Sequence, residues 1–139
     1  MTLKVILSAD ETGHSMGYHT IAMALRDAGM EVILGGTQIP REIAHTAIQE
    51  DVDIIAYRIM GAHPPTLVSR LIKLLEEQGA DNIPIVVGGA ILPKQEDQLR
   101  EMGVLRTFPI GCSLESVISF FVKFPENKYS FNPRWTNRA

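Results

Sequence analysis

Short apolar runs alternate with amphipathic stretches along most of the chain. Leu3 to Ser8 is the first run and reads as a buried strand. Ile21, Met23, Ala24, Leu25 and Ala28 then recur at helical spacing, in a helix that begins near Tyr18 and closes at Gly29. Glu31-Val32-Ile33-Leu34 is the second strand, closed by Gly35-Gly36. Pro40 opens a helix carrying Ile43, Ala44, Ala47 and Ile48 on one side, a position where the missing N–H has no partner to lose. Asp53 to Tyr57 predicts the third strand, Arg58 to Pro65 a loop, and Leu67 to Gln78 a strongly periodic helix ending at Gly79. Ile83 to Val87 is the fourth strand, with Gly88-Gly89 directly after it. Lys94 to Met102 reads as a shorter polar helix, Val104 to Phe108 as a weaker fifth strand, and Leu114 to Val122 as the last helix.

Five strands alternating with five helices imply a parallel sheet with right-handed crossovers. The expected architecture is a flavodoxin-like, doubly wound α/β domain with strand order 2-1-3-4-5. That order opens a crevice at the carboxyl ends of strands 1 and 3. Its walls are the loops Ser8–Gly17 and Arg58–Pro65, with Gly88-Gly89 beside them, so topology alone nominates His14, Arg58, His63 and Gly88 as the ligand neighbourhood.

Composition narrows the class further. A chain of 139 residues, 45% hydrophobic, buries enough surface to need no disulfide or zinc staple. Residues 1–124 are expected to form one domain and 125–139 an aperiodic tail bearing Tyr129, Phe131 and Trp135. The formal charge of −3 and the lack of a basic patch argue against nucleic acid or an anionic membrane as partner. One cysteine, Cys112, provides no disulfide framework, and no apolar run approaches the ~18 residues of a membrane span. A soluble cytoplasmic protein is the expectation.

The crevice residues discriminate between ligands. A phosphoacceptor receiver domain needs acidic residues after strand 1, which Asp10 and Glu11 supply, but also an aspartate ending strand 3 and a lysine ending strand 5. Tyr57-Arg58 and Thr107-Phe108 stand there instead. A flavin carrier needs a hydroxyl-rich phosphate loop and aromatic stackers. Thr12-Gly13-His14-Ser15 offers a trace of that loop, but Asp10 and Glu11 would repel a phosphate and Tyr57 is the one stacker in view. No G-x-G-x-x-G fingerprint follows any strand.

Three motifs fit another family. His14-Ser15-Met16-Gly17 matches the second half of Asp-x-His-x-x-Gly, Arg58-Ile59-Met60 falls where a Ser-x-Leu is expected after strand 3, and Gly88-Gly89 matches a Gly-Gly after strand 4. With Arg26 to Met30, Thr46 to Asp53 and Val86 to Gly89, these make the chain, from Leu3 to Phe121, resemble the cobalamin-binding domain of adenosylcobalamin-dependent acyl-CoA mutases. It is most similar to the free-standing small subunits of the 2-hydroxyisobutyryl-CoA mutase type. The resemblance implies adenosylcobalamin as cofactor, with His14 as the cobalt ligand beneath the corrin. Thr12, Gly13, Ser15, Met16, Gly17, Arg58, Met60, His63, Gly88, Gly89 and Gly111 would line the cofactor. It also implies a large (β/α)8-barrel partner subunit that holds the acyl-CoA, so that this chain would be inactive alone. The aromatic tail is then a candidate contact with that subunit.

Three positions depart from the motifs, with Met60 in place of the leucine as the mildest. Thr12 stands where the aspartate would orient the ligating histidine, a loss that typically costs about 10–100-fold in metal affinity or activity. Asp10 or Glu11 is a candidate substitute. Arg58 stands where a small serine would face the nucleotide tail, and a guanidinium is long and always charged. A divergent homologue with an assembly or regulatory role and no histidine-ligated cobalamin is therefore a second reading. Plainer alternatives exist residue by residue: His14 or His63 as a solvated histidine, Gly88-Gly89 as a tight turn, and the methionines as core filler. His19 and His45 read as surface or packing residues, and Cys112 has no general base in view.

Overall fold

Strands as apolar as these must be covered on both faces, and the sheet is. The computed structural model describes residues 2–13 and 15–127. Its elements are β1 (Lys4–Ala9), α1 (Ser15–Asp27), β2 (Glu31–Thr37), α2 (Pro40–Gln49) and β3 (Ile54–Ile59). They are followed by α3 (Pro64–Glu77), β4 (Ile85–Gly89), α4 (Pro93–Glu101), β5 (Arg106–Pro109) and α5 (Leu114–Asn127). The sheet is parallel throughout, in the order β2-β1-β3-β4-β5, as the alternation of elements predicts.

Alternate residues of each strand feed two separate cores. On one face Ile6, Ile55, Tyr57, Ile59, Ile85 and Val87 pack against Ile43 and Ala47 of α2, Leu71 and Leu75 of α3 and Leu99 of α4. On the other, Val5, Leu7, Ala9, Ile54, Ala56 and Val86 meet Tyr18 and Leu25 of α1 and Val117, Phe121 and Phe124 of α5. The register of β1 against β3 is pinned at its amino end. There the Asp53 N–H donates to the Lys4 carbonyl at 2.8 Å, while the Lys4 N–H donates to Asp53 Oδ2 at 2.8 Å.

Several strand boundaries differ from the sequence expectation, for one physical reason. A parallel ladder needs only backbone N–H and C=O groups, so it runs on after the apolar pattern has ended. Arg58 therefore lies within β3 rather than in a loop, paired with Ala9 on one side and Gly88 on the other. Gly88-Gly89 ends β4 instead of following it, and Gly35-Gly36 is inside β2. The last pair absorbs a bulge: Leu7 faces Leu34 but Ser8 faces Gly36, whose φ of +69° suits a glycine. Helix α1 starts at Ser15, so Ser15, Met16 and Gly17 form its first turn rather than part of the loop.

Proline opens α2, α3 and α4 alike, at Pro40, Pro64 and Pro93. The residues before two of them are unusual helix caps. Ile39 and Leu92 carry no side-chain acceptor, so only half of a capping box forms: their N–H groups donate to Glu42 Oε1 at 3.0 Å and Gln95 Oε1 at 2.9 Å. Both apolar side chains are more than half exposed, at 52% and 64%. A Ser or Asp cap would stabilise each helix by about 1 kcal/mol. Among the described residues no helix is long and apolar enough to cross a membrane.

A groove at the carboxyl edge of the sheet

At the carboxyl ends of β1, β3, β4 and β5 the sheet opens into a cavity of about 260 Å³ between α1 and α5. Its floor is Leu7, Ala56, Val86 and Gly88. Its walls are Ile21 of α1, Val117 and Phe121 of α5, and the β5–α5 turn from Pro109 to Cys112. Small residues make it possible. Ala9, Arg58 and Gly88 form one cross-strand row, and with Gly88 bare of a Cβ the floor stays low beside Phe108.

Arg58 enters this groove from β3. It continues the series Ile54, Ala56 on the α1/α5 face, by the two-residue period of a strand. Its guanidinium lies against the first turn of α1, where a Cβ on Gly17 would come within 2.5 Å of Arg58 Nη2. Gly17 is thus the site of close approach between helix and arginine. No carboxylate is among the described residues lining the cavity.

The sequence-predicted residues do not gather in one place. Arg58, Gly88, Gly89 and Gly111 line the groove. Thr12 and Ser15 instead border a separate depression of about 230 Å³ on the β2 side of α1, with Tyr18, His19 and Thr37. Met16 is exposed on the rim, and Gly13 stands next to the Glu11 carboxylate. Met60 is not in the groove: its sulfur lies beside Gly89, and its N–H is bound by Asp10. His63 caps α3 from an exposed position, its Nδ1 2.8 Å from Thr66 Oγ1, and does not line the cavity. His14, Tyr129, Phe131 and Trp135 lie outside the described residues.

Asp10 clamps a turn through its carboxylate. Its Oδ1 accepts the Met60 N–H at 2.8 Å, and its Oδ2 accepts Gly61 and Ala62 N–H at 2.9 and 2.8 Å. Its own N–H donates to the Arg58 carbonyl at 3.1 Å. The carboxylate therefore clamps the β3–α3 turn to the end of β1, with both oxygens engaged. A partner 50 residues away in sequence leaves no local signal.

Three further groups escaped the sequence reading. Tyr18 Oη donates to the Leu7 carbonyl at 2.7 Å and accepts the Gly36 N–H at 2.9 Å, tying α1 to the bulge between β1 and β2. Burial pushes its pKa up, against the opposing pull of the Gly36 N–H. Ser8, fully buried, donates to Gln38 Oε1 at 2.8 Å, and Gln38 Nε2 donates to Thr46 Oγ1 at 3.2 Å. Tyr57, two positions before Ile59 on the opposite face from Arg58, has its pKa raised to about 12 by burial and then by the Asp10 charge.

Large apolar side chains are exposed along this edge of the sheet. Met16 and Ile110 are 83% and 69% exposed, and Ile39 and Leu92 project from the amino ends of α2 and α4 on the same edge of the sheet. Among the described residues no group of three or more His, Cys, Asp or Glu side chains could hold a metal ion.

The B12 binding domain family matches residues 2–108. The chain belongs to that family. It is 39% identical over 112 residues to the 2-hydroxyisobutanoyl-CoA mutase small subunit of Aquincola tertiaricarbonis, covering 77% of this chain and 82% of that protein. It is 35% identical over 120 residues to the methylmalonyl-CoA mutase large subunit of Streptomyces virginiae, covering 86% of this chain but only 16% of that protein. The human mitochondrial methylmalonyl-CoA mutase is 34% identical over 111 residues, with 15% of its length covered. Among solved structures, the methanol:cobalamin methyltransferase complex MtaBC of Methanosarcina barkeri matches at TM-score 0.65 and 17% identity, over 86% of this chain and 46% of that one. A signal receiver domain of a LuxO repressor protein from Vibrio parahaemolyticus matches at TM-score 0.71 and 7% identity, over 92% and 93%. These structures share the fold alone. The cofactor implied by the family and the mutase relatives is adenosylcobalamin.

The groove suits the nucleotide tail of that cofactor in three respects. It opens at the carboxyl edge, its floor and walls are apolar, and glycines at 88 and 111 leave room along the backbone. Arg58 is the one residue that changes its chemistry.

Proposed function

We propose that this chain is the cobalamin-binding small subunit of an adenosylcobalamin-dependent acyl-CoA mutase. The observation that carries the reading is the apolar groove at the switch point of the sheet, in a chain that spans most of a mutase small subunit relative. Gly88, Gly89 and Gly111 would border the cofactor's tail, while His14, on the loop after β1, would ligate cobalt from below. Adenosylcobalamin, when bound, supplies radical chemistry through its cobalt–carbon bond. The protein's part is to hold and orient the cofactor and to keep water from its lower face.

A separate subunit, expected to be a (β/α)8 barrel holding the acyl-CoA, would close over the upper face. The exposed Met16, Ile39, Leu92 and Ile110 support a covered edge, since two of them occupy cap positions where a polar residue would stabilise a helix more. Thr12 favours a second reading, a homologue that takes cobalamin without histidine ligation, because it brings no carboxylate to orient His14.

The test is retention of adenosylcobalamin by the chain mixed with its large subunit, followed through gel filtration by visible absorbance. The wild type is expected to retain the cofactor, and His14→Ala to bind it about 10-fold or more weakly. Failure of the wild type to retain it contradicts the proposal; equal retention by His14→Ala supports the second reading.

A further inference from the structure

We propose that Arg58 makes the groove selective for the phosphate of the corrinoid's nucleotide tail. The inference rests on the cobalamin reading above. Arg58 is the only cation among the described residues that line an otherwise apolar cavity. A guanidinium stays charged at every accessible pH, and a phosphate in the groove offers it charge-assisted contacts beyond the one it keeps within the protein. Cobalamin carries one such group, the phosphate that joins its aminopropanol linker to the ribose; the amides around its corrin ring are neutral. The guanidinium has five N–H donors in a planar fork, enough to keep a protein contact and still offer an edge to a phosphate.

Position supports the assignment. Arg58 stands between Ala9 and Gly88 in the terminal row of the sheet, and its Nη2 reaches across to Gly17 on α1. It therefore sits at the mouth of the cavity, with the apolar depth formed by Val117, Phe121 and Phe108 beyond it. A tail entering from the carboxyl edge passes the charge first and the apolar walls second. That order matches a phosphate followed by an aromatic base. The planar fork of the guanidinium also explains why a lysine would serve less well.

Three ligands separate the terms: adenosylcobinamide, which lacks the phosphate, adenosylcobinamide phosphate, which has it without ribose or base, and adenosylcobalamin. Each is titrated into the chain with its large subunit, and binding is read from the visible spectrum rather than from turnover. The wild type is expected to bind adenosylcobinamide phosphate at least about 10-fold more tightly than adenosylcobinamide, as for a charge-assisted contact. Arg58→Gln should bring the two within about 3-fold, Arg58→Lys should keep part of the preference, and added salt should narrow the wild-type gap. Equal binding of the two by the wild type, or an unchanged preference in folded Arg58→Gln, overturns the role of Arg58 while leaving the cobalamin reading standing. Tighter binding of adenosylcobinamide overturns it too, by showing that the arginine excludes the tail. Binding of none of the three overturns both readings.

Discussion

Gly89→Ala is expected to destabilise the protein by about 3–4 kcal/mol, seen as a lower urea midpoint at unchanged slope. Two costs combine. Gly89 has φ of +115°, a region in which L side chains cost on the order of 1–3 kcal/mol. A Cβ there would also collide with the Ile59 carbonyl oxygen, a backbone atom that cannot swing away, and would crowd the Met60 sulfur at 3.1 Å. The carbonyl of Gly89 accepts N–H groups of Ile91 and Ile110, each at 3.0 Å, so any shift is passed to the turn lining the groove. Gly79→Ala is the control. Its φ is +69° with nothing within 4 Å of the added carbon, so only the left-handed conformation is penalised, by about 1 kcal/mol. Equal losses in the two variants would show that the contact with Ile59 does not constrain the β4 end.

Stability should fall by about 2 kcal/mol between pH 10 and pH 12 through Tyr57 alone, out of a full loss of about 2.7 kcal/mol. Its folded pKa is raised to about 12 from the ordinary 10.0, first by burial and then by the Asp10 charge. Below pH 10 the phenol is protonated in both states and contributes no pH dependence. Between the two values the unfolded chain loses the proton while the folded one keeps it, so stability decreases as pH rises, by up to 1.36 kcal/mol per unit. Above about pH 12 the contribution is gone. Tyr57→Phe gives up only a long 3.4 Å hydrogen bond to the Gln38 carbonyl, so the variant should be nearly as stable at pH 8 and lose less above pH 10. The difference between the two denaturation curves isolates the residue from lysines and from Tyr18. Parallel curves would contradict a raised pKa for Tyr57.

The fold was legible because its signals are local and repeated. Val, Ile and Leu runs marked the first four strands, glycines at 29 and 79 marked helix ends, and the alternation of elements dictated the parallel order. The site was legible only where it follows from topology. Arg58 and Gly88 fall in the groove because they end β3 and β4, which the strand order brings together. Both were placed in loops because the apolar pattern stops before backbone pairing does. The alternation Ile54, Ala56, Arg58 held the missing information, since it places the arginine on the α1/α5 face. Asp10 and Tyr18 were opaque for a different reason. Each acts through backbone groups of elements distant in sequence, and no residue near either one signals the partner. Ile39 and Leu92 offered a faint signal, an exposed apolar residue directly before a proline that opens a helix.

The central claim is ligation of cobalt by His14, and electron paramagnetic resonance tests it most directly. The chain, prepared with nitrogen-15 in histidine alone and joined to its large subunit, is loaded with cob(II)alamin carrying ordinary nitrogen. Nitrogen-14 beneath cobalt splits each line into a triplet and nitrogen-15 into a doublet. Doublets are expected from the labelled protein, and their loss in His14→Ala. Triplets that persist in the labelled wild type would show the cofactor's own base still on cobalt, and would contradict ligation by His14.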